Sequence, residues 1–194
     1  CTACTDDHPY LPPKVRVGRT DVVGAFRRDS DFLYETFLGI PYAQAPVREL
    51  RFKEPEPFNM TEGQFSATEY GNVCIQYSQM GYRIHGSEDC LYLNIYRPHI
   101  HIDSSTPLLD VVVYIHGGAF MYGSPTLSIK LLRLNLIYVT FTYRLGPIGF
   151  MSTGDGVLPG NLGLKDQVAA LKWVHDNIHY FHGSPCSITI SGVC

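Results

Sequence analysis

No run of this 194-residue sequence stays apolar for the ~20 residues that a membrane-crossing helix needs; Leu108 to Ile115, among the longest, is broken by Asp110. No membrane span is expected. Charge of one sign is equally scarce. Lys and Arg number 15 against 18 Asp and Glu, a net charge of -3, and the basic residues are scattered, which excludes a phosphate-binding face and a nucleic-acid partner. The charged fraction of 17% is too low for a solvating, disordered segment, and 45% hydrophobic residues suffice for one buried core. Internal repeats and low-complexity tracts are missing. So is a charged region followed by an apolar one at the start, and the chain opens on Cys1 rather than Met; any secretory signal is read as removed or never included. Metal-ligand sets are lacking too: His99-Ile100-His101 and the pair His175 and His179 have no carboxylate or cysteine to complete them, so no metal and no cofactor is expected.

Among the residues present, the six cysteines stand out, since a reduced cytosol seldom keeps so many. Asn59-Met60-Thr61 is a glycosylation sequon, and the two features together point to an oxidising, extracellular compartment, hence a secreted glycoprotein. Cys1 and Cys4 lie too close for an easy unstrained bridge, and the partners of Cys186 and Cys194 stay open.

Residues 1–14 carry prolines, cysteines and acids without periodicity and read as an irregular leader ahead of a single domain over 15–194. Val15 to Gly18 and Val22 to Phe26 predict small antiparallel strands around a tight turn, and Phe37 to Pro57 a stretch of prolines and turns. Leu91 to Pro98 alternates like a half-buried strand. Leu108 to Ile115 and Ile137 to Tyr143 have the texture of central strands covered on both faces. Between them, Leu127, Leu131, Leu132 and Leu134 recur at roughly helical spacing. A helix is predicted over Asn161 to Ile178 from Leu164, Val168, Leu171 and Val174, and a short strand over Ser187 to Ile190. Buried strands alternating with helical segments imply an α/β fold: a mostly parallel central sheet flanked by helices, with chemistry beyond the carboxyl ends of its strands.

Two stretches sit at such ends. His116-Gly117-Gly118-Ala119-Phe120 follows a buried strand, and its small residues let backbone N–H groups face a cavity unobstructed, as an oxyanion hole requires; a turn that uses glycine for its φ freedom is the competing reading. Ile188 to Cys194 is a strand leading into Gly-x-Cys, where α/β-hydrolases expose a nucleophile on Gly-x-Ser-x-Gly. A thiol can attack an ester only with a base in reach, and the histidines here read as surface or packing residues.

Five blocks, in order, make the chain from about Val15 onward resemble the type B carboxylesterase, or cholinesterase-like, family. These are Phe37-Leu38-Gly39-Ile40-Pro41-Tyr42-Ala43 with Leu50-Arg51-Phe52, then Ser87-Glu88-Asp89-Cys90-Leu91-Tyr92-Leu93-Asn94. Tyr114 to Phe120, Tyr143-Arg144-Leu145-Gly146-Pro147 and Pro159 to Gln167 with Trp173-Val174 complete them. The resemblance implies the α/β-hydrolase fold and hydrolysis of small-molecule carboxylic esters. It implies a disulfide between Cys74 and Cys90 and structural ion pairs Arg51–Glu88 and Arg144–Asp166. It places oxyanion donors at the N–H groups of Gly118 and Ala119, with Gly117 permitting approach, and the nucleophile at Cys194, where serine is expected. The family's acid and histidine would lie downstream, so the chain is expected to be an N-terminal portion cut at the nucleophile elbow, inactive and aggregation-prone by itself. Pro125 to Ile137 is shorter than the family's counterpart and lacks its usual acidic residue. A second reading is a non-catalytic, cholinesterase-like binding or adhesion protein, which Cys194 in place of serine fits.

Overall fold

The computed structural model describes residues 11–78, 83–103, 105–125 and 127–193; residues 1–10 of the expected leader, with Cys1 and Cys4, and also Cys194, lie outside them. Strands β1 (Lys14–Val17) and β2 (Thr20–Val23) form the predicted hairpin, closed by Gly18 at φ 57° and burying Val15 and Val22.

The next two strands, β3 (Ala25–Asp29) and β4 (Phe32–Pro41), are joined by Ser30-Asp31, a link short enough to permit only antiparallel pairing. Most of the segment expected to be turns before Pro41 is thus strand. Gly39, at φ 66°, makes a bulge instead: the β4 register shifts between Phe37 and Ile40, and the Gly39 N–H donates to Asn94 Oδ1 at 3.0 Å. Proline is tolerated because it falls at the last residue of the strand. β5 (Gly63–Ser66) runs parallel to β2, and β6 (Gln76–Ser78) pairs with β7 (Arg83–His85) inside the loop that Cys74 and Cys90 close.

The main sheet is completed by β8 (Tyr92–Pro98), β9 (Leu109–Ile115), β10 (Ile137–Phe141) and β11 (Gly183–Gly192), in the order β11-β9-β10-β8-β4-β3. Its parallel ladder joins β11, β9 and β10; the other three pairings are antiparallel, so this part of the sheet is mixed. β8 is buried along nearly its whole length instead of half-buried, since it lies inside the sheet between β10 and β4. Its polar members are satisfied there: Asn94 Nδ2 donates to Thr140 Oγ1 at 3.2 Å, and Arg97 pairs with Glu35.

The leucines between β9 and β10 yield only one turn of helix, α1 (Ile129–Leu132), with Leu132 buried. Gly117, Gly118, Gly123 and Pro125 fill the approach with residues that break a helix, and the Ser128 side chain does not cap its start. After the short α2 (Gly146–Phe150) comes the predicted long helix, α3 (Leu162–Asn177). It lays Ala170 and Val174 on the sheet beside Ile178 and Phe181, burying roughly 1.5–3 kcal/mol of transfer free energy per large aliphatic or aromatic side chain.

Candidate active site

The parallel ladder brings the two sequence-predicted stretches together. Ile115 at the end of β9 pairs in register with Gly192 at the end of β11, so the chain after each strand leaves the sheet side by side. A cavity of about 350 Å³ opens there between Gly117, Ala119 and Phe120 on one side and Gly192 and Val193 on the other, with Tyr143 and Gln167 also on its wall.

The first stretch turns tightly. Gly118 has φ 116°, and a Cβ on it would collide with the Tyr122 carbonyl oxygen; Ala119 and Phe120 follow at φ 53° and 58°, in the left-handed region that non-glycine residues visit at a cost. The Met121 N–H donates to the Gly118 carbonyl at 2.9 Å and the Gly146 N–H to the Phe120 carbonyl at 2.7 Å. The N–H groups of Gly118 and Ala119 donate to no acceptor among the described residues. Two adjacent free donors in a strained turn beside a cavity can hold an oxyanion.

His116 holds the base of this turn. Its ring stacks on Tyr143 with centroids 4.5 Å apart, Nδ1 lies 3.0 Å from the Gly117 carbonyl, and the Tyr143 hydroxyl donates to the His116 carbonyl at 2.8 Å. The Gly117 acceptor fixes the proton on Nδ1 and leaves Nε2 buried without a hydrogen-bond partner among the described residues. Burial lowers its pKa from 6.5, so the ring is neutral around pH 7. It is a packing histidine, as its place before the turn suggested.

Both expected ion pairs and the expected disulfide are present. Arg51 meets Glu88 through Nε at 2.5 Å and Nη2 at 2.6 Å, on a partly exposed surface. Arg144 and Asp166 are only 1% and 0% exposed; Nε and Nη2 approach the carboxylate at 2.8 and 2.7 Å, and the Arg144 backbone N–H adds a third bond at 3.1 Å. Burial pushes the Asp166 carboxyl above 3.8 against the pull of that guanidinium. Cys74 and Cys90 are disulfide-bonded with Cα atoms 4.9 Å apart. Cys186 is a free, exposed thiol, and Asn59 is exposed on the wall of a separate cavity of about 490 Å³ beneath α3.

Two groups escaped sequence reasoning. Glu35 and Arg97 form a buried pair that the exposed His99 joins from the surface: Arg97 Nε reaches Glu35 Oε2 at 3.0 Å, His99 Nδ1 lies 2.9 Å from Oε1, and Arg97 Nη1 donates to the Phe181 carbonyl. The strand pairing that unites them spans 62 to 64 residues and leaves no local spacing to read. The other is Gln76, buried between the disulfide loop and the turn after β9.

A free-amide turn beside the end of a second parallel strand, on a mixed sheet backed by a long helix, defines an α/β-hydrolase. The chain belongs to the carboxylesterase family, whose model matches residues 12–193. It is similar to Venom carboxylesterase-6 of Apis mellifera, 47% identical over 188 residues that cover 93% of this chain and 33% of that protein. It is also similar to the juvenile hormone esterase of Tribolium castaneum, 42% identical, covering 99% of this chain and 33% of the relative. The crystal structure of juvenile hormone esterase from Manduca sexta, with OTFP covalently attached, superposes with a TM-score of 0.82 at 37% identity, covering 94% of this chain and 36% of that one. The chain thus spans about a third of the length of the curated relatives it matches.

Proposed function

We propose that this chain supplies the oxyanion-binding half of an active site that hydrolyses small-molecule carboxylic esters. The observation that carries the reading is the pair of free amides at Gly118 and Ala119: Ala119 lines the cavity that reaches Gly192 and Val193, and Gly118 lines a second cavity that shares His116, Gly117 and Val193 with it. A nucleophile at position 194 would attack the ester carbonyl, and the resulting tetrahedral oxyanion would accept from those two N–H groups, Gly117 leaving room for its approach. Alcohol leaves, and water then releases the acid. Arg51–Glu88, Arg144–Asp166 and the Cys74–Cys90 bridge have positioning roles. The bridge, the exposed sequon at Asn59 and the relative named a venom carboxylesterase support a secreted glycoprotein, and the scattered basic residues at a net charge of -3 favour no nucleic-acid partner.

The test is a chimera in which residues 12–193 replace the matching region of an active carboxylesterase relative, which then provides the serine, acid and histidine. Turnover of p-nitrophenyl acetate by the chimera, lost when Gly118 is replaced by Pro, is expected. A folded, inactive chimera would refute the oxyanion assignment and favour the non-catalytic binding reading, which rests on Cys194 standing where serine is expected. The chain by itself is expected to hydrolyse no ester; turnover abolished by Cys194→Ala would contradict this.

A further inference from the structure

We infer that Gln76 is a positioning residue of the oxyanion turn, tying it to the disulfide-closed loop; the inference rests on the esterase reading of that turn. Gln76 stands two residues after Cys74, in β6, with its side chain buried. Its amide grips one residue of the opposite loop from both sides: the Gly123 N–H donates to Oε1 at 2.8 Å, and Nε2 donates to the Gly123 carbonyl at 2.8 Å. Nε2 also donates to the Cys74 carbonyl at 3.1 Å, which holds the amide plane against the cysteine backbone.

Gly123 transmits this grip. It has φ 136°, and a Cβ there would collide with His116 Nδ1 and the Gly117 carbonyl oxygen, so its backbone packs directly on the two residues that open the turn. Held on the other side by Tyr143 and Gly146, the turn has its 117 end pressed by Gly123 and its 120 end fixed at the Phe120 carbonyl. Pulling Gly123 away frees the Gly117 carbonyl to rotate, and rotation of that peptide plane swings the Gly118 N–H out of line. A primary amide suits the task because it offers a donor and an acceptor side by side, matching the N–H and C=O of one residue. Leu or Met would fill the space without the grip, and a carboxylate would face the Gly123 and Cys74 carbonyl oxygens without a proton to share.

The test compares Gln76→Met and Gln76→Glu with the parent by hydrogen exchange of the full chain, and by kinetics of the same substitutions in the chimera. Peptides covering 117–125 are expected to exchange at least about tenfold faster in Gln76→Met while those of β8 and β10 are unchanged, and kcat falls about tenfold with KM within about twofold, the pattern of a displaced transition-state donor. In Gln76→Glu the excess exchange over the parent shrinks as the pH falls and the carboxyl gains a proton to donate. Faster exchange spread over the whole sheet, or a kcat per folded molecule that does not change, would show a glutamine that merely seals the disulfide loop and would overturn the inference. Where Gln76→Met does not fold, the pH response of Gln76→Glu decides alone, its absence counting against the proposal. An inactive parent chimera would sink the esterase reading, while the exchange measurement still decides whether Gln76 orders the turn.

Discussion

Replacing Asp166 by Asn should cost the fold more than any other single-atom change at the site. The side chain keeps its shape, but one oxygen becomes an NH2 that points donors at a guanidinium with nothing to accept. Three bonds converge on the carboxylate, from Arg144 N, Nε and Nη2, while Arg144 Nη1 is already committed to the Lys53 carbonyl at 2.8 Å. At 1% exposure the guanidinium reaches no water and cannot shed its proton. Removing one partner of such a pair costs about 3–5 kcal/mol, a large share of the ~5–15 kcal/mol that holds a domain together. Pulse proteolysis across a urea series, run at submicromolar protein to suppress self-association, measures the change in midpoint. The double replacement Arg144→Met with Asp166→Leu, which removes both charges, should recover most of the loss, because desolvating the pair offsets much of its mutual attraction. A loss below about 1 kcal/mol for Asp166→Asn would refute the reasoning.

The exposed counterpart behaves differently: Arg51→Ala breaks two short bonds to Glu88, yet solvent screening should keep the cost to roughly 1 kcal/mol or less in the same assay. His116 makes stability depend on pH. Its folded-state pKa lies below 6.5, so the unfolded chain binds the proton first; the contribution is complete above about pH 6.5 and lost as the pH falls below it, and His116→Phe should flatten that part of a urea-midpoint profile. A slope unchanged by the substitution would assign it to other groups. Among the described residues β11 is an edge strand, with Ile190 57% and Val193 60% exposed, so the chain should elute as oligomers at micromolar concentration and Ile190→Lys should shift it toward monomer. A wild-type monomer with cooperative unfolding would contradict this.

What the sequence disclosed and what it hid divide along the range of the interactions. β9, β10 and α3 were legible because each carries its own signal: Val111 and Val113 in an apolar run, and apolar residues at roughly helical spacing over α3, although Leu164 and Val168 are 41% and 65% exposed and the helix faces the core through Ala170 and Val174 instead. The turn after β9 was legible because Gly117 and Gly118 admit backbone geometry that other residues resist. The disulfide and both ion pairs came through resemblance, since nothing in the spacing of Arg144 and Asp166 foretells that they meet. β4 was hidden because Gly39 and Pro41, read locally, are turn residues; only pairing with β8 and β3 turns the glycine into a bulge and leaves the proline at a strand end. The leucines before β10 failed in the opposite sense, their period being overridden by glycines and a proline that hold the segment as a loop.

Gln76 belongs to the hidden class for the same reason, and this bears on how the site is built. The turn proposed to bind an oxyanion leaves the Gly118 and Ala119 amides free of protein acceptors among the described residues, so those two donors do not help to order it. Besides the Met121 N–H bond to the Gly118 carbonyl within it, the turn is held from outside: from Tyr143 and Gly146 on the β10 side, and from Gln76 on the disulfide side, each joined to the carbonyls or neighbours of the turn rather than to the two free donors. Those contacts span 26 to 47 residues of sequence. The motif that announces the chemistry is local, whereas the framework that makes it competent is assembled only by the fold.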